Sequence, residues 1–172
     1  QSAKKEVKGG ATAVFPVTDG RFAVAGGEAK NIPYMAGSTS QDMAPPILQS
    51  MTRKWIAARE KPSYTWYFDR QLPGDKNGAW HSSDLWCWFG TLDNCWRPRE
   101  QKGRELSDRM IDYLCNFVRS GDPNKAAVLP TWIASGEGQK RVLILGEKDT
   151  QMRRPNWLKM IYTMLFRKAV GV

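Results

Sequence analysis

The chain has 172 residues, 41% of them hydrophobic and 25% charged, a size and balance that suit one soluble domain and exclude wholesale disorder. No apolar run approaches the ~18 residues of a membrane span, and the first ten residues lack the apolar core of a signal peptide. Lys plus Arg number 26 against 17 Asp plus Glu, a formal charge of +9, but five of the cations (Arg153, Arg154, Lys159, Arg167 and Lys168) lie in an acid-free tail and no dense basic run is interleaved with aromatics, which disfavours a nucleic-acid partner.

In chain order, residues 1–10 read as a flexible, Lys-rich end, and the whole of 1–172 as a single domain. Residues 13–17 and 21–25 pair as two short strands about Asp19-Gly20. Residues 32–36 predict a short buried strand running into a polar loop over 37–41. Met43, Ile47, Leu48, Met51 and Trp55 recur at helical steps and predict an amphipathic helix with those residues inward, opened by Pro45 and Pro46. Asp42 falls just outside its positive end. Residues 63–68 are aromatic and β-branched, a strand buried on both faces. A Pro-, Gly- and Asp-rich loop covers 71–79, and a short helix covers 83–89.

The helix over 100–119 turns Leu106, Met110, Ile111, Leu114, Phe117 and Val118 to one side and stops at Ser120-Gly121-Asp122-Pro123. Residues 130–133 and 141–145 are strand candidates. A last helix opens at Pro155, with Trp157, Leu158, Ile161, Met164 and Leu165 inward. Four main helices among a few short strands imply an α/β protein, or an α-rich α+β arrangement if this piece folds alone.

Cys87, Cys95 and Cys115 form neither a disulfide framework nor a metal-ligand spacing, so no metal and no cofactor is expected, and the thiols read as reduced residues of a cytoplasmic protein. His81 is the only histidine and ends a Gly-rich loop that follows a buried strand. Reactive groups of α/β sheets sit on such loops, and imidazole takes and returns a proton near neutrality. Asp42 ends the other strand-following loop. If the two strands are parallel neighbours, Asp42 can orient the ring and stabilise its cation. The bland alternatives are a surface histidine and an aspartate that merely starts a helix.

The runs Tyr64-Thr65-Trp66-Tyr67-Phe68-Asp69-Arg70, Gly78-Ala79-Trp80-His81 and Asp84-Leu85-Trp86-Cys87-Trp88-Phe89-Gly90 resemble the catalytic-histidine region of type B carboxylesterases, cholinesterase-like and para-nitrobenzyl-esterase-like members of the α/β-hydrolase fold. Leu106-Ser107-Asp108-Arg109-Met110 and Ser120-Gly121-Asp122-Pro123-Asn124 are similar to a long helix and turn of that family. Phe15-Pro16-Val17-Thr18-Asp19-Gly20 and the run from Ile32 to Asp42 resemble its upstream elements, in family order.

The resemblance implies the C-terminal portion of such an enzyme, His81 as catalytic histidine, Asp42 as acid, and Trp66, Trp80, Trp86 and Trp88 about the acyl pocket. The family places Glu-Gly where this chain has Asp42-Met43, and a long insertion where only 38 positions separate Asp42 from Trp80, so a trimmed pocket wall is expected. Neither G-x-S-x-G nor a His-Gly-Gly loop occurs.

The expected activity is therefore hydrolysis of a small ester, with the attacking group on a companion chain or recruited from Ser38, Ser40, Ser82 or Ser83. Cys87 and Cys95 read as packed. An apolar Trp-rich surface and an open strand edge imply self-association. The competing reading is a non-catalytic, self-associating interaction module derived from an esterase.

Overall fold

The computed structural model describes residues 30–76, 78–125, 129–146 and 148–170. A four-stranded sheet has the order β1 (Met35–Thr39), β2 (Tyr64–Asp69), β3 (Val142–Gly146), β4 (Thr150–Arg153). The first two pairings are parallel and the last antiparallel. Four helices flank it: α1 (Pro45–Ala57), α2 (Leu85–Trp88), α3 (Gln101–Ser120) and α4 (Trp157–Val170). The β1–α1–β2 crossover makes the architecture α/β rather than α+β. No helix among the described residues is long and apolar enough to cross a membrane.

Alternation along the central strands builds two cores. Tyr64 and Phe68 of β2 and Leu143 and Leu145 of β3 face α2 and α3, where Leu106, Met110 and Tyr113 of α3 meet them at helical spacing. Tyr67, Val142 and Ile144 turn the other way, against Met160 and Trp157 of α4. Trp132 closes the first core. Its ring meets Tyr64 and Tyr113 edge-on, with centroids 5.7 and 5.3 Å apart, and its indole N–H donates to the Thr65 carbonyl. Gly121, at φ 73°, ends α3 in the left-handed conformation that a glycine takes without a Cβ clash.

Several expectations are corrected. The first strand covers Met35–Thr39, three residues beyond the predicted 32–36, so Gly37, Ser38 and Thr39 belong to the ladder instead of a loop. Gly37 makes this possible, because a Cβ there would run into the Trp66 ring and carbonyl. In α1, Met43 before it and Ile47, Leu48 and Met51 within it are exposed, while Gln49 and Ile56 face the sheet. The Gln49 Oε1 accepts the Ser38 hydroxyl at 2.6 Å, while its Nε2 is buried with no partner among the described residues. Ala44 occupies the cap position of α1, which leaves Asp42 just outside the helix as expected.

In α3, Val118 points to solvent. In α4, Leu158, Ile161 and Leu165 are exposed and Met160 is the buried residue. Residues 130–133 form no strand, and Trp132 fills the core from an irregular segment. β4 was not expected from its polar sequence, Thr-Gln-Met-Arg. The paired strands expected over 13–17 and 21–25, the family-like run from Phe15 to Gly20 and the end over 1–10 lie outside the described residues.

Candidate functional site

Parallel pairing of β1 with β2 continues past the strands and zips their following loops together. Ser40 N–H donates to the Phe68 carbonyl and Gln41 N–H to the Ala79 carbonyl, both at 2.8 Å, and Gln41 forms a further parallel bridge with Trp80. Gly78, at φ 63°, permits this approach, because a Cβ would meet the Gln41 side chain. The next residue on each side is then Asp42 and His81.

His81 Nδ1 lies 2.9 Å from Asp42 Oδ1. The same oxygen accepts the Met43 N–H at 2.8 Å, and Oδ2 accepts the Thr39 hydroxyl at 3.3 Å. The Asp42 side chain is 6% exposed and that of His81 67%. A carboxylate can only accept, so a neutral His81 carries its proton on Nδ1 and leaves Nε2 with a free lone pair. Two of the chain's residues adopt positive φ without being glycine among those described, Ala44 at 60° and Ser82 at 66°. They stand two residues after Asp42 and one after His81, so backbone strain brackets the pair.

A second layer holds the histidine turn. Trp80 Nε1 donates to Asp75 Oδ2 at 2.7 Å, and Asp75 in turn accepts Arg97 Nη2 at 2.7 and 2.8 Å.

Comparison with known proteins decides the family. The Carboxylesterase family model matches residues 23–160. The chain belongs to the carboxylesterase family.

Among solved structures, an esterase from Clostridium hathewayi described as able to hydrolyse aliphatic aromatic polyesters matches with a TM-score of 0.56 and 23% identity, covering 72% of this chain and 25% of that one. A PNB esterase matches with a TM-score of 0.51 and 21% identity, covering 64% of this chain and 24% of the other. Both are likenesses of fold. The mixed, mostly parallel sheet with its four helices is part of an α/β-hydrolase. This carboxylesterase chain spans about a quarter of each matched structure. No curated protein matches it.

Within the carboxylesterase chain, no candidate serine bonds to His81 among the described residues. Ser38 is buried and spends its hydroxyl on Gln49. Ser40 is buried at the end of β1, and Ser82 is held in the strained turn. Ser83 is sealed, with its hydroxyl unpartnered. Burial pushes the Cys87 thiol up to about 12, so it is no nucleophile at neutral pH.

Trp66 and Trp88 pack on each other with centroids 5.4 Å apart, Trp88 being nearly sealed. Trp80 and Trp86 are half-buried. None of the four, and neither His81 nor Asp42, lines the cavities beside Arg70 and Arg97, beside Arg53 and Gln139, or beside Tyr67 and Met160. No group of three or more His, Cys, Asp or Glu among those residues could hold a metal.

Sequence reasoning missed Asp84. It is 5% exposed, and burial holds its carboxyl above the usual carboxylate range; Asp42 pushes it the same way and His81 opposes. The available signal was its position one helical turn past His81. The support from Thr39 and Asp75 was equally hidden, because both come from the tertiary fold.

Proposed function

We propose that this chain is the C-terminal portion of an ester hydrolase and carries the proton-transfer pair of its active site, His81 as general base and Asp42 as its orienter. The 2.9 Å contact between His81 Nδ1 and a nearly buried carboxylate carries the reading. Exposure of the imidazole supports it, since Nε2 is open to a reacting group.

In the proposed reaction His81 Nε2 removes the proton of an attacking hydroxyl as its oxygen bonds to the ester carbonyl carbon. Asp42 stabilises the resulting imidazolium. His81 then passes that proton to the departing alkoxide as the ester C–O bond breaks. Water repeats the sequence and releases the acid. The attacking hydroxyl comes from a segment outside the described residues, on this chain or a companion, since Ser38 is bonded to Gln49 and Ser40 and Ser83 are buried. Alone, the pair activates water, worth ~10²–10⁴ in rate. A missing nucleophile costs on the order of 10⁶. Activated small esters are therefore the substrates that report it.

The test compares hydrolysis of p-nitrophenyl acetate and butyrate by the wild type and His81→Ala. Loss of turnover above background in the variant is expected; equal turnover overturns the reading. The second reading, a non-catalytic interaction module, is favoured by the exposed apolar residues of α1 and α4. It is the outcome if turnover ignores His81.

A further inference from the structure

We infer that α4 is an interfacial helix that lays its exposed side into the surface of an anionic lipid bilayer. Leu158, Ile161, Tyr162, Leu165 and Phe166 are between 42 and 81% exposed. They recur at steps of three and four and so share one side of the helix. Met160, on the opposite side, is sealed against Tyr67, Val142 and Ile144 of the sheet. The helix is thus anchored by one apolar residue and presents five to its surroundings. Tyr162 and Phe166 stack there with ring centroids 4.1 Å apart.

Charge selects the occupant of that stripe. Residues 151–172 contain five cations (Arg153, Arg154, Lys159, Arg167 and Lys168) and no acid. Two acids reach in from elsewhere: Asp149 pairs with Arg153 at 2.6 Å and Asp69 with Lys159 at 3.0 Å. Five cations less these two acids leave +3 around one helix. The helical repeat places Lys159 at one margin of the apolar stripe and Lys168 at the other. Lysine stems at such margins lie along apolar surface and carry the ammonium to the headgroups, and a tyrosine ring sits at the same depth. α1 packs beside α4 and adds Ile47, Met51 and Lys54, which are exposed at helical spacing.

A basic polar margin around an apolar and aromatic face is the pattern of a helix bound in the plane of a membrane surface. A second copy of the chain matches the apolar stripe but sets +9 against +9. A nucleic acid matches the charge but leaves Leu158, Ile161 and Leu165 in water. An anionic bilayer meets both, with acyl chains under the stripe and lipid phosphates at its margins.

The full 172-residue chain is mixed with sucrose-loaded vesicles and the pelleted fraction is measured, with a vesicle-free control for self-association. One set of vesicles is phosphatidylcholine with about 30% phosphatidylglycerol and the other is phosphatidylcholine alone. Binding to the anionic set should be about tenfold tighter or more. It should weaken as salt rises, whereas association between copies strengthens. Leu165→Ser with Phe166→Ser should reduce binding by about tenfold or more, and Arg154→Gln by about fivefold. All three residues are exposed, so both variants should melt at the wild-type temperature. Equal binding to the two vesicle sets overturns the inference, as does full affinity in the Leu165, Phe166 variant. Pelleting that grows with salt and needs no vesicles also overturns it and assigns the face to a second copy.

Discussion

At the scale of the residue, Asp42 does its work by accepting. Its two oxygens accept from the His81 ring, the Met43 amide and the Thr39 hydroxyl. Asp42→Asn keeps the size but offers an amide N–H₂ to the ring. Neutral His81 then holds its proton on Nε2 and loses the lone pair that a base needs. The expected outcome is a change from the Nδ1–H to the Nε2–H tautomer, read from ¹⁵N ring shifts that a single histidine makes unambiguous. Any His81-dependent esterase turnover should fall to background, a loss of ~10²–10⁴-fold.

Asp84 gives a second test. Its carboxyl is held up in the folded protein, mainly by burial, so between the unfolded value of 3.8 and the raised folded value the native state binds more protons. Stability from this group is therefore lost as pH rises through that window. Asp84→Asn should narrow the Tm difference between pH 4 and pH 7, measured by thermal melts against the wild type; an unchanged difference refutes the assignment. The histidine and Asp42 were legible because each ends a loop that follows a strand. Asp84 was not, because its character comes from packing that no local pattern records.

At the scale of the element, close approach of β1 to β2 governs where the two loops end. Gly37 lies opposite Trp66 in the ladder, and its missing side chain leaves room for that ring. Gly37→Ala should cost ~1–3 kcal/mol by overpacking and loosen the Gln41–Ala79 pairing, visible as a lower denaturation midpoint and faster exchange of the Gln41 amide. An unchanged midpoint would show that the strand yields without cost.

Helix periodicity in the sequence located α1 and α3, and turn residues located their ends. It misjudged which face of α1 and α4 turns inward, because apolar spacing fixes a stripe and not its partner. Gln49 is buried through one hydrogen bond to Ser38, a pairing that spans β1 and α1. β4 was illegible for a related reason: its polar residues are strand only because β3 supplies the ladder.

At the scale of the molecule, several apolar side chains that sequence reading turned inward lie on the outside, and others join them. Met43, Ile47 and Met51 on or beside α1, and Leu158, Tyr162, Leu165 and Phe166 on α4, are all more than half exposed. Both helices lie on the same face of the sheet. Apolar exposure on this scale drives association in water. β1 adds an open edge, since β2 is its one ladder partner among the described residues.

The opposing force is charge. At +9 per chain, copies repel at low ionic strength. Salt screens that repulsion within about 8 Å at physiological strength and leaves the apolar attraction in place. Self-association at micromolar concentration should therefore increase with salt, the reverse of an association held by ion pairs. Sedimentation velocity should show species heavier than 19.5 kDa, shifting upward from low to high salt. The double variant Ile47→Ser, Leu158→Ser removes apolar surface without touching either core, so it should return the monomer with an unchanged melting temperature. A single 19.5 kDa species at every salt concentration in the wild type would show that these faces do not associate.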